Sequence, residues 1–256
     1  MSSAETINQV ILIGAGFSRA IMGEKALLTG EIMPKLTISK FPEIIEDYEK
    51  TFPDIEQFIS LLDLRYLHFK NTNNSLKNKL NKVRESLTEQ IVALFDVGQL
   101  CTNKAEHLDD LKQFISKLHK GSVILTLNYD CVLDQALYES KRWSPGGGYY
   151  ISSFPANNSE NSNLDNILLL KLHGSVNFRV ASEALAKNSE SIDSQKILPE
   201  ITDKIFPNIS TNINVRDSQL YEKRPYVLVM SYIKELGLLQ NEWVKKAFFL
   251  EETVCN

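Results

Sequence analysis

Val10-Ile11-Leu12-Ile13-Gly14-Ala15-Gly16-Phe17-Ser18 reads as a strand running straight into a glycine-rich turn. Its first four residues are all β-branched or leucine, which suits a strand of a parallel sheet buried on both faces. Two further stretches repeat the pattern. Val123-Ile124-Leu125-Thr126-Leu127 runs into Asn128-Tyr129-Asp130, and Ile167-Leu168-Leu169-Leu170-Lys171-Leu172 runs into His173-Gly174-Ser175. In an open parallel sheet, ligands bind beyond the carboxyl ends of the strands. The three polar groups are therefore expected to converge on one pocket of an α/β fold, a nucleotide site with chemistry beside it.

Helical periodicity fills the interval between the first two strands. Ile55, Phe58, Ile59 and Leu62 recur at helical spacing within residues 53–69. The polar run 71–75 predicts a turn with Ser75 as N-cap. Leu76, Leu80, Val83, Leu87, Ile91 and Leu94 then form the longest apolar stripe, and Leu108, Leu111, Phe114, Ile115 and Leu118 mark a further helix. One βα crossover needs far less chain, so residues 41–102 read as a helical insertion. After the strand at 122–127 the pattern predicts a helix over 131–140, a loop at 145–148 and a mobile polar stretch at 157–163. After the strand at 167–172 it predicts an irregular region over 181–220, an apolar run at 226–230 and a last helix over 240–251.

With 256 residues, 43% of them hydrophobic and 23% charged, the chain has the makings of one large domain with a sizeable core. The net charge of −4 gives no basic footprint and argues against direct nucleic-acid binding. No apolar run approaches the roughly 18 residues of a membrane span, and residues 1–5 have no signal-peptide character. Cys101, Cys131 and Cys255 are odd in number and without CxxC spacing, which predicts reduced thiols in a cytoplasmic protein and no structural zinc.

Each motif also has a plain structural reading. Gly14-Ala15-Gly16 serves equally as a turn or as a phosphate cradle at a helix N-terminus. The third glycine of a dinucleotide fingerprint is replaced by Arg19, and no acidic residue closes a second strand about 20 residues on, which argues against an ordinary dehydrogenase. Asn128 and Asp130 share one face of an extended backbone, yet Asp130 suits a helix cap at least as well. His173 is either a base titrating near neutral pH or a core-edge residue. His68, His107 and His119 fall among charged residues on predicted helices and read as surface.

Gly-Ala-Gly-Phe-Ser at 14–18, Thr-x-Asn-Tyr-Asp at 126–130 and Lys-Leu-His-Gly-Ser at 171–175, in this order, resemble the SIR2-like (sirtuin-type) family of prokaryotic NAD-consuming proteins. The likeness extends from Ile11 to Glu251. It includes Pro225-Tyr226-Val227-Leu228, leading to Ser231-Tyr232-Ile233-Lys234, and then Trp243. Each motif alone is unspecific; three at strand ends in the right order are fairly specific.

The resemblance implies a single SIR2-like domain over residues 1–256, with a Rossmann-like core that binds NAD against a smaller helical part. Gly14, Ala15, Gly16, Phe17 and Ser18 would lie along the NAD phosphates and adjoining ribose, with Gly174 and Ser175 also at the cofactor. Asn128 and Asp130 would hold the nicotinamide-ribose end, and His173 would be their catalytic partner. Members of this family often hydrolyse NAD to ADP-ribose and nicotinamide, often in anti-phage defence, commonly beside an ATPase or nucleic-acid-sensing partner. A homo-oligomer or such a hetero-complex is therefore expected. Three cysteines cannot build the four-cysteine zinc module of protein-deacylating sirtuins, which favours NAD hydrolysis over deacylation. Relatives continue into another apolar strand, so the C-terminal end of the domain is expected to lie beyond Asn256. That leaves an NAD- or ADP-ribose-binding subunit of low activity as a third reading.

Overall fold

A computed structural model describes residues 9–37, 54–69, 71–95, 100–149, 165–181, 197–199 and 221–227. The three strand-forming stretches become β1 (Val10–Ile13), β2 (Val123–Thr126) and β3 (Leu168–Lys171), a parallel sheet in the order β1-β2-β3. The register sets Ile13, Thr126 and Lys171 side by side at the carboxyl ends. The residues that follow each strand are thereby brought to one edge, as the sequence predicts.

Helix α1 (Ala15–Met22) starts directly after Gly14. Phe17 anchors it, ring edge to ring face, on Phe114 of α4 (Leu108–Ser116) at 5.0 Å between centroids. Within the predicted insertion, α2 (Ile55–Phe69) and α3 (Asn74–Leu94) are joined by a short turn and tied by Asp63 and Arg84, 3.0 Å apart. The cap of α3 is Asn73 rather than Ser75. The Asn73 side-chain Oδ1 accepts the Leu76 N–H at 3.0 Å, which places Ser75 inside the first turn. Leu80, Val83, Leu87 and Ile91 of α3 are all buried. Each contributes roughly 1.5–3 kcal/mol on leaving water. They join Ile13, Ile124 and Leu169 of the sheet in one cluster, so the helical insertion and the sheet share a core.

The other face of the sheet is different. Val123 and Leu170 form a second small cluster with Leu125, Leu168 and Leu172, while Val10 and Leu12 at its β1 end are 54% and 68% exposed.

Helix α5 (Val132–Glu139) follows β2, and residues 145–148 are not a loop but one helical turn, α6 (Pro145–Gly148). Proline at a first helical position lacks an N–H that would be unpaired there anyway. Lys171 ends β3, and after a two-residue turn the chain enters β4 (Gly174–Ala181), a strand not anticipated from the sequence. β4 pairs antiparallel with β5 (Ile197–Pro199) and with β6 (Tyr221–Val227), a second sheet in the order β5-β4-β6. The fold is thus α/β, with a three-stranded parallel sheet, compatible with the expected Rossmann-like core, plus an antiparallel sheet. The predicted irregular region contains strand residues at Ala181 and 197–199, and the apolar run expected at 226–230 overlaps β6 only at Tyr226 and Val227. The expectations for 157–163 and for a helix over 240–251 lie outside the described residues. Among the described residues, no helix is long and apolar enough to cross a membrane.

Candidate functional site

The carboxyl edge of β1-β2-β3 opens into a cavity of about 150 Å³, the liquid volume of about five waters. Gly14 and Ala15 form one wall. Asn128, Tyr129 and Asp130 form another, with His173 beside them. All three polar groups singled out in the sequence therefore line one space. Glu56 of α2, Thr29 and Phe95 complete it and were not anticipated. Among the described residues, no lysine or arginine lines it.

The Asn128-Tyr129-Asp130 turn is held from several sides. Thr126 Oγ1 accepts the Asn128 N–H at 3.1 Å. The Tyr129 carbonyl accepts the Val176 N–H at 3.0 Å and the Ser175 hydroxyl at 3.2 Å, so β4 grips the turn from behind. Lys171 Nζ donates to the Asp130 carbonyl and to both oxygens of Asp134, at 3.2 and 3.1 Å. Lys171 and Asp134 are 0% and 2% exposed, and Asp134 also accepts the Tyr149 hydroxyl. Burial alone would discharge Lys171, but the nearby Asp134 carboxylate, aided by Cys131 and Asp130, outweighs it and raises the ammonium pKa. Burial and the Asp134 charge push Tyr149 well above its usual range. The same two causes raise the Cys131 thiol to about 12, so it is a neutral packing group and no nucleophile.

Asn128 is buried, and its Nδ2 donates to Ser18 Oγ at 2.8 Å. That commitment leaves Asn128 Oδ1 as a buried acceptor with no hydrogen-bond partner among the described residues. A buried orphan acceptor costs about 1–3 kcal/mol, which a ligand donor would recover. Ser18 in turn hydrogen-bonds Asp130. It is thus a positioning residue behind the wall rather than part of the lining. Gly16, Phe17, Gly174 and Ser175 also stand outside the lining. Gly174 has φ +73°, a left-handed conformation that favours glycine and lets the chain turn from β3 into β4.

Asp130 combines both readings made of it. Its carboxylate accepts the Val132 N–H at 3.1 Å, capping α5, while the residue also lines the cavity. Burial raises its pKa above 3.8, against the lowering effects of Lys171 and of the hydrogen bonds from Ser18 and Val132, with Asp134 adding to the rise. A carboxyl raised on folding contributes stability at pH below its unfolded pKa, and this is lost as pH climbs through the raised value. Asp130→Asn keeps an oxygen for the cap but carries no charge. Its melting temperature relative to the parent is therefore expected to rise between about pH 3.5 and 7. Parallel melting curves for the two proteins across that range would show that no charge is being buried at this position.

Arg19, which stands where a third glycine was looked for, reaches Glu31 at 3.2 Å, Glu24 at 2.9 Å and the Ala26 carbonyl at 2.9 Å. It braces residues 24–31, the segment that brings Leu27 and Thr29 to the cavity. His68, His107 and His119 are all exposed, as expected. No family model and no curated protein matches the chain.

Proposed function

We propose that the chain is an NAD+ glycohydrolase of the SIR2-like type, serving prokaryotic anti-phage defence by NAD depletion. The observation that carries this reading is the partnerless Oδ1 of Asn128, buried beside an open glycine turn at a helix N-terminus. A Cβ built on Gly14 or Gly16 meets no atom within 4 Å, and Gly14 has an ordinary extended φ of −119°. Neither backbone strain nor protein packing demands glycine at position 14. Free space above the turn suits the close approach of a phosphate to the α1 N–H groups. With no basic residue in the lining among the described residues, those N–H groups and the helix dipole would be its main attraction there.

In hydrolysis the bond from ribose C1′ to the pyridinium nitrogen breaks, and its electron pair neutralises the leaving nicotinamide. Water oxygen bonds to C1′, and its proton passes to His173 and on to solvent. Asn128 Oδ1 accepts a hydrogen bond from a ribose hydroxyl and fixes the sugar for attack. None of these steps requires a protein nucleophile, in keeping with the neutral Cys131 thiol.

The test is release of nicotinamide from NAD+ by the purified protein, with and without an acetyl-lysine peptide. Release without peptide is expected; release only with peptide would mean deacylation, and none in either case would overturn the proposal. Gly14→Ala adds one methyl group to the open side of the turn. It is expected to fold with stability within about 1 kcal/mol of the parent, yet to bind NAD+ at least about tenfold more weakly, since that methyl group occupies space a phosphate needs. Undiminished affinity in a calorimetric titration would remove the phosphate from this turn.

A further inference from the structure

The helical insertion places a second carboxylate in the cavity. Asp54 starts α2 by accepting the Glu56 N–H at 2.8 Å through its side chain and the Phe58 N–H through its carbonyl. This fixes Glu56 in the first turn of the helix, where it lines the same cavity as Asn128, Asp130 and His173. The two carboxylates differ in how far the protein uses them. Asp130 is spent on the α5 cap and on Ser18, within reach of the Lys171 charge. Glu56 has no side-chain hydrogen bond or ion pair among the described residues. Among the described residues the lining holds no lysine or arginine to neutralise it, and Phe95 and Tyr129 supply aromatic surface.

From this we infer that Glu56 is a substrate-contacting residue that selects the cationic nicotinamide end of the ligand. A cavity with two carboxylates, two aromatic rings and no fixed cation favours a flat, positively charged ring over a neutral one of the same shape. The same carboxylate lies where positive charge moves from the ring to C1′ as the glycosidic bond breaks, so it stabilises the transition state electrostatically. The inference rests on the NAD+-cleavage reading and assigns it a charge-selecting residue from outside the three sequence motifs.

The test compares binding of N-methylnicotinamide cation and neutral nicotinamide to the full chain, alongside NAD+ cleavage. The parent is expected to prefer the cation by at least about tenfold, and Glu56→Gln to lose that preference while binding neutral nicotinamide as the parent does. In cleavage, Glu56→Gln is expected to lose about 10²-fold in kcat, with Glu56→Asp recovering part of it and Glu89→Gln, on an exposed part of α3, matching the parent. A variant that keeps both the cation preference and the parent rate overturns the role of Glu56 and leaves NAD+ cleavage standing. A parent protein that binds neither ring and releases no nicotinamide overturns both.

Discussion

Asn128→Ala is expected to cut NAD+ cleavage by about 10²–10³-fold, the loss typical of removing one aligned polar group from a transition-state site. Stability should move little. The substitution deletes a hydrogen bond to Ser18, worth about 1 kcal/mol, but also deletes the buried Oδ1 that lacks a partner. These contributions oppose each other, and a melting temperature within a few degrees of the parent is expected. A large rate loss at nearly constant stability separates a functional side chain from a structural one. If the purified variant released nicotinamide at the parent rate, Asn128 would be only the latch that holds Ser18.

The opposite signature is expected at Lys171. Lys171→Met removes the cation from an enclosed network and leaves the Asp134 carboxylate buried with the Tyr149 hydroxyl alone to answer its charge. Breaking a buried pair from one side costs about 3–5 kcal/mol, a large part of the 5–15 kcal/mol that stabilises a typical domain. Much of the protein should therefore be insoluble or melt far below the parent. Replacing both partners, Lys171→Met with Asp134→Leu, is expected to recover much of the loss, because no uncompensated charge remains. Equal damage from the single and the double change, measured by denaturant unfolding, would place the cost in packing and in the lost bond to the Asp130 carbonyl.

The parallel core was legible because its signal is local. A short run of mostly apolar, β-branched or leucine residues leading into a glycine or polar turn occurs three times, and that local pattern marks a buried strand. The apolar stripe of α3 was legible for the same reason. The second sheet was not. Val176-Asn177-Phe178-Arg179-Val180 of β4 does alternate with a period of two, but over only five residues, and its partner β6 is the charge-rich Tyr221-Glu222-Lys223-Arg224-Pro225-Tyr226-Val227, which shows no alternation and pairs through register shifts near Arg179. At the site, the residues on strand ends could be foreseen because topology alone brings them together. Glu56 could not, since its place in the cavity depends on how α2 packs across the sheet. The Lys171–Asp134 pair was equally hidden. A lysine closing an apolar strand looks like a solvated end until the carboxylate one turn into α5 is seen opposite it.

The parallel register also dictates an order of assembly. Ser122 Oγ donates to the Gln9 side chain across 113 residues of chain, and β1 meets β2 through pairings of similar span. Closing so long a loop is entropically unfavourable until intervening segments have condensed. The α2–α3 hairpin, stitched by neighbours in sequence, can nucleate early, whereas β1 must wait to be captured. The cavity takes its glycine wall from the end of β1 and its polar walls from the ends of β2 and β3. Completion of the cavity is therefore expected late in folding, only after β3 and His173 have left the ribosome.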